Sequence, residues 1–589
     1  MSTTGTTVQY ETHEHDVLVI GAGGAGLRAA IEASAQGLKT ALVCKSLLGK
    51  AHTVMAEGGC AASMGNVDSD DGWKTHFKDT MHGGKFLNNY RMAELHAQEA
   101  PDRIRELERW GAVFDRTETG KILQRPFGGH TYRRLCHVGD HTGLEIIRTL
   151  QDKGVHSGID VFMEATITDL IKDGDRVSGA FGYWRESGRF VVFKAKAIIL
   201  ATGGIGKAYK VTSNSWEYTA DGQIMAMRLG AELLDAEFIQ FHPTGMVWPN
   251  GVKGLLVTEA VRGEGGRLTN SEGERFMERV DPARMELSTR DIVAKAIYGE
   301  VKAGRGTPHG GAYLDISHRG AEYILKKLPG MYRQLMEFAD VDITKGPMEV
   351  GPTTHYSMGG LKVDADSTMT TVPGLFACGE VAAGMHGANR LGGNSLSDLL
   401  VFGRRAGLGA KDFIAQNPET PTVSDEAIAQ AAKRATACFE TDGGENPYTI
   451  HAELQDLMQS KVGIVRTEED LTAAIGELNT LAERSRNLTV HGTRQFNPGW
   501  HLALDLQNMI TYSQAVAGCA LQRTESRGGH TRLDHEGYDD HWGKTNSIAH
   551  LDDNGQVVVG QQALKDMPKE LSELFDGDTG VPTVIKDRK

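Results

Sequence analysis

The segment from Asp16 to Gly26, DVLVIGAGGAG, constrains this chain more than any other stretch. A short apolar run ends in glycines at GxGxxG spacing, Gly21, Gly23 and Gly26, with Gly24 between them, and an Ala-rich stretch of helical spacing, LRAAIEASAQG, follows. A strand that runs into a glycine turn and then a helix leaves backbone amides and the positive helix end facing outward, where they can receive a pyrophosphate. KTALVC reads as the next strand, completing a strand, turn, helix, strand unit. In that context a dinucleotide is a better reading than a bare turn.

The usual acidic residue for a ribose is missing about 20 positions on, where Lys45 and Ser46 stand instead. Ordinary NAD binding is therefore disfavoured. FAD held through Lys45, Ser46, the following loop and remote groups such as Asp221 and Glu380 is compatible. Two more strand-like runs, AIILATGG from Ala197 and GLFACGE from Gly374, stop abruptly at glycines, as parallel strands do where they deliver loops to a ligand. The nucleotide fold is thus expected to be split in sequence. We expect an α/β, Rossmann-like flavin domain from 1–245 and 351–411 and an inserted α+β capping domain at 246–350. A helical domain at 412–525 and a C-terminal segment at 526–589 follow.

A chain of 589 residues is several times the size of one ordinary domain, which fits that division. Its formal charge of −14 disfavours nucleic acid and anionic lipid surfaces as partners. The six cysteines are scattered singly, with no CxxC pair, so neither an iron–sulfur site nor a disulfide framework is expected. His130, Cys136, His137 and His141 match no standard zinc spacing, and no metal is expected. No apolar run approaches the roughly 18–20 residues that span a bilayer, and the start reads as neither signal nor transit peptide.

The runs GKAHTVMAEGG, QFHPTG, TEAVRGEGG, STRDIVA, HYSMGG and HGANRLGGNSLSDLLVFGRRAG, followed by RTESRGGHTR, together resemble the succinate dehydrogenase and fumarate reductase flavoprotein family, in the family's order. The resemblance implies FAD joined covalently to His52 of the HTV segment, with Thr53, Gly58 and Gly59 beside it. It places Ser395 and Leu396 at a helix start near the flavin ring, where the plainer alternative is simple helix capping by Asn394 or Ser395. An imidazole-alkylated flavin is a stronger oxidant, which suits removal of hydride from an unactivated CH2.

The same resemblance assigns His242, Thr258, His355 and Arg390 to the carboxylates of succinate or fumarate. A buried dicarboxylate needs such paired groups, because an unpaired carboxylate is costly to bury. Arg290 would exchange the proton, and Glu259 and Arg262 would carry it onward. Arginine side chains stay protonated, which suits an acid for fumarate reduction better than a base for succinate oxidation, so a relay helps. Without the resemblance, Arg290 and Asp291 read as a helical surface pair and Arg390 as a surface residue. Electrons would leave through a separate iron–sulfur subunit and a quinone-binding membrane anchor, with the chain peripheral on the cytoplasmic face of a bacterial membrane. A soluble fumarate reductase and L-aspartate oxidase are the rival readings.

Overall fold

The computed structural model describes residues 8–576; the first residues of the expected flavin domain and the last of the C-terminal segment lie outside them. Strand Tyr10–Ile20 runs parallel to Thr40–Val43 on one side and to Phe190–Leu200 on the other. Asp160–Phe162 extends the sheet past Thr40–Val43, and Leu375–Ala377 lies parallel to the end of Phe190–Leu200. The antiparallel strands Arg176–Trp184 and Ala165–Asp173 continue it beyond the first half of Phe190–Leu200. Val17, Leu18 and Val19 are fully buried, as a parallel strand covered on both faces requires. The first strand begins well before the apolar run, because the polar residues Tyr10 to His15 still pair with Phe190 to Ala195.

Four of these parallel strands end on one side: Ile20 leads into Gly21, Val43 into Cys44, Leu200 into Ala201 and Ala377 into Cys378. Segments 197–204 and 374–380 thus reach one edge from distant parts of the chain, which is where open α/β sheets hold ligands.

Strands Ile239–Met246 and Met348–Ser357 pair antiparallel, with His242 opposite Thr353 and register shifts on either side of Phe241 and His242. Ala312–Asp315 and Arg267–Thr269 complete this second sheet. A separate core running from Met246 to Val350 packs it against helices Arg290–Lys302 and Pro329–Ala339. The limits 245/246 and 350/351 fall inside the two paired strands, where Gly245 stands opposite Gly351.

Four long helices, Asp425–Glu440, Pro447–Lys461, Glu468–Arg484 and Pro498–Gln522, follow. The chain then folds back: Thr545–Leu551 pairs with Val557–Ala563 and with Leu233–Leu234. No helix among the described residues is long and apolar enough to cross a membrane.

Candidate functional site

The carboxyl ends of the parallel strands open onto a deep cavity. Gly21, Gly23 and Gly24 line it, with Lys45, Ser46, His52, Thr53, Asp221, His355, Glu380, Ser395 and Leu396. Gly21 has φ +108°, and a Cβ there would lie 2.2 Å from Ala201 O. Gly26 is not at the cavity wall. Its added Cβ would lie 1.8 Å from Gly21 O, so it serves the close passage of helix Gly24–Ala35 against the turn. Gly58 and Gly59 also lie off the wall, Gly58 against the Phe127 ring and Gly59 at φ +123° beside Cys136 O.

The Gly24 N–H donates to Thr53 Oγ1 at 3.2 Å, tying the start of the first helix to the HTV turn. His52 opens that 3₁₀ turn, His52–Met55. Its ring meets Tyr218 edge-on at 5.0 Å and its Nε2 lies 3.3 Å from Asn214 Nδ2. Burial, then nearby Lys207, push its pKa down to about 4, so the imidazole is neutral at physiological pH. Asn214 also donates to His355 O at 2.9 Å, and Ser213 Oγ bonds His355 Nδ1 at 2.8 Å.

Lys45 forms ion pairs with Asp221 and, at 2.7 Å, with Asp505. Burial opposes its charge, but the two carboxylates prevail and raise its pKa. Asp505 and Asn508, which donates to Asp221 at 3.2 Å, both come from helix Pro498–Gln522. The helical region, which gave no chemical signal in sequence, therefore reaches the cavity wall. Glu380 accepts from Ser357 N at 2.9 Å, and burial lifts its carboxyl to about 8.

Helix Asn394–Gln416 begins at the cavity, but no side chain caps it. Gly393 is the N-cap, at φ +85°. Capping by Asn394 or Ser395 does not occur: Asn394 bonds His76 and Thr80, and Ser395 accepts from Arg390 Nη1 at 2.7 Å. Asn394 N–H bonds Leu391 O, and no side chain caps the N–H groups of Ser395 and Leu396, two residues that line the cavity.

Against that end lies the cluster named from the motifs. Arg290 is 8% exposed and Arg390 3%, so neither is a surface residue, and Asp291 is buried with them at 9%. Arg290 Nε donates to Glu259 Oε2 at 2.8 Å, and Arg262 stands 3.5 Å from the same oxygen. Glu259 Oε1 accepts from Gly128 N at 2.9 Å. Burial would raise the Glu259 pKa, but Arg290 and Arg262 more than offset it and hold the carboxylate ionised. Thr258 caps helix Glu259–Gly263, accepting from Ala260 N at 3.3 Å, and so aims Glu259 inward.

His242 and His355 stand 5.1 Å apart on the paired strands. Burial, then Arg290, keeps both far below the ordinary histidine pKa. Arg390 lies over the Tyr356 ring at 4.5 Å. The residue that unites the cluster, Gln240, went unnoticed in sequence although it begins QFHPTG. Its Oε1 accepts from Arg390 Nη2 at 2.9 Å, Arg390 Nε at 3.2 Å and Arg290 Nη1 at 3.4 Å. A glutamine has no charge or special geometry to betray it. Only its two arginine partners, far off in sequence, show its place.

Residues 16–396 match the FAD binding domain family model, and 451–573 match that of the fumarate reductase flavoprotein C-terminus. Sdh1 of Mycobacterium smegmatis, solved in complex with UQ1, is 58% identical over 97% of each chain, with a TM-score of 0.88. The chain belongs to the succinate dehydrogenase and fumarate reductase flavoprotein family. Within it, the chain is 47% identical to a fumarate reductase (CoM/CoB) subunit of Methanothermobacter marburgensis, over 90% of this chain and 95% of that one. It is 40% identical to a succinate dehydrogenase flavoprotein subunit of Coxiella burnetii, over 90% of this chain and 93% of that one.

The cavity fits FAD. Its wall holds a glycine-lined helix start, a neutral imidazole and a second helix start that no side chain caps.

Proposed function

We propose that this protein is the flavoprotein subunit of a succinate:quinone oxidoreductase, oxidising succinate to fumarate on FAD attached through His52. The observation that carries this reading is the charge balance of the cluster beside the cavity. Two guanidiniums, Arg290 and Arg262, flank one carboxylate, Glu259, and a third, Arg390, is held beside them by the neutral Gln240 and Ser395. The guanidiniums outnumber that carboxylate in a buried place, an excess of positive charge that a small dicarboxylate dianion would neutralise.

In this reading His242, Thr258, His355 and Arg390 hold the two carboxylates. Both histidines are neutral, so they donate hydrogen bonds without adding charge. FAD supplies the two-electron acceptor when bound. Arg290 carries the proton, and its Nε contact with Glu259, with Arg262 on the far side, supports onward transfer through that pair. The region 246–350 covers the site and excludes water. Electrons pass to an iron–sulfur subunit and then, through a membrane anchor, to quinone, with the complex peripheral on the cytoplasmic face of the membrane. Complex formation with quinone chemistry is supported by the UQ1-bound relative.

Fumarate reduction is the second reading, supported by the relative named fumarate reductase. Malonate-sensitive, succinate-dependent dye reduction by the purified complex, beside fumarate-dependent oxidation of a reduced dye, tests both. In-gel flavin fluorescence after acid denaturation tests the covalent bond. Activity in neither direction would overturn the proposal.

A further inference from the structure

The C-terminal segment enters the substrate cluster by backbone. Residues Arg527 to His530 form a tight turn, with Arg527 N–H donating to His530 O at 2.8 Å and His530 N–H to Arg527 O at 3.0 Å. At its tip Gly528 has φ +55°, and a Cβ there would lie 2.3 Å from Ala388 O. Gly529 N–H donates to that same carbonyl at 2.8 Å. A Cβ on Gly529 would come within 3.0 Å of Ile239 O and 2.9 Å of Met358 Cε. The turn is thus wedged between two backbones, Ala388 just before Arg390 and Ile239 just before Gln240, whose side chains are the bonded pair of the cluster.

The turn is itself anchored. Arg466, fully buried, donates to His530 Nδ1 at 2.8 Å and to Glu237 O at 2.9 Å, so one guanidinium ties the turn to the strand segment leading to Gln240. His530 Nε2–H donates to Arg523 O at 3.1 Å, which fixes the tautomer that leaves Nδ1 free to accept. Arg527 is held by Glu525 through Nε at 2.7 Å and Nη2 at 2.9 Å, and donates to Lys85 O at 3.2 Å.

We propose that the Gly528–Gly529 turn is a positioning element for substrate binding, setting the separation of Arg390 and Gln240 and hence the place where Arg390 meets a substrate carboxylate. This rests on the reading of Arg390 as a carboxylate ligand. Glycine is required at 528, where φ is positive and a Cβ would strike Ala388 O, and at 529 a Cβ must push aside Met358 Cε and press on Ile239 O, the backbone that leads into Gln240. The segment does not line the cavity, so its effect passes through Arg390 and its partner Gln240.

The test uses the assembled, FAD-loaded complex with the variants Gly529→Ala, Arg390→Ala and the double variant. Gly529→Ala is expected to raise KM for succinate and Ki for malonate about tenfold, with kcat and flavin content changed less than about twofold. In the Arg390→Ala background the same substitution is expected to raise KM much less than tenfold, since the arginine of the pair it positions is gone. Should Gly529→Ala fail to fold, His530→Gln, which loosens the anchor without adding bulk at Ala388, decides: a raised KM at full flavin content supports the proposal. Folded, flavin-loaded variants with unchanged KM would overturn it, as would additive effects in the double variant. An Arg390→Ala protein with normal KM would instead overturn the carboxylate role on which the proposal rests.

Discussion

Arg290 Nε lies 2.8 Å from Glu259 Oε2, and that pair ties the first turn of helix Arg290–Lys302 to the short helix Glu259–Gly263. The guanidinium is held side-on, with Nη1 turned towards Gln240. A lysine has no such fork. Arg290→Lys is expected to keep the fold and flavin but lower kcat by about 10²–10⁴, the usual range for a lost proton-transfer group. Stopped-flow flavin reduction by succinate measures it directly.

Glu259→Gln would keep the acceptor for Gly128 N–H but leave Arg290 and Arg262 without a counter-charge. The expected outcome is a loss of kcat comparable to that of Arg290→Lys, with malonate binding weakened less than turnover. Steady-state rates beside malonate titration of the flavin spectrum check it.

Gln240→Leu removes the oxygen shared by Arg390 and Arg290. Two buried guanidiniums then lose a neutral acceptor, a cost of about 1–3 kcal/mol for each unsatisfied group. KM for succinate is expected to rise at least tenfold while flavin content is unchanged, read from dye-reduction kinetics.

His52→Ala should leave FAD bound, because the glycine turn and Lys45 side of the cavity remain, but acid denaturation should release it. Succinate oxidation is expected to fall more than fumarate reduction, since the flavin loses oxidising strength. Comparing both directions on one preparation checks the asymmetry.

The raised carboxyl of Glu380 makes a signed prediction about stability. Its pKa is about 8 folded against 4.5 unfolded. Between those values the folded chain holds a proton that the unfolded chain has released, so this group's contribution is full below pH 4.5 and is lost as pH rises to about 8. Glu380→Gln keeps an acceptor for Ser357 N–H and cannot ionise. The variant's melting temperature, relative to the parent apoprotein, should therefore rise progressively from pH 5 to pH 8; a constant difference would contradict the assignment.

The sequence was most legible where the backbone itself does the work. GAGGAG dictates a strand, turn and helix by its own steric demands, and AIILATGG and GLFACGE are strands whose glycine ends mark the ligand edge. The side chains proposed as catalytic and carboxylate-binding were legible only through the family motifs, because a lone arginine or histidine carries no signal of burial. Gln240, Asn214 and Asp505 were not legible at all. Each acts by meeting a partner far along the chain: Arg390, His355 and Lys45 respectively. The plainer alternative for Asn394 and Ser395, capping of helix Asn394–Gln416, does not hold, because Gly393 takes the cap position and the two side chains bond His76, Thr80 and Arg390.

His242 and His355 sit on the two strands that pass from the flavin side into the region built around Met246 to Val350. In the proposed reaction that ribbon would serve as both hinge pin and substrate clamp. Any swing of the outer lobe must twist the ribbon, and the register shifts beside His242 are where a twist concentrates. Opening the lobe would then spread the two imidazoles and loosen their hold on the product, so that release and exposure to solvent would become one mechanical event.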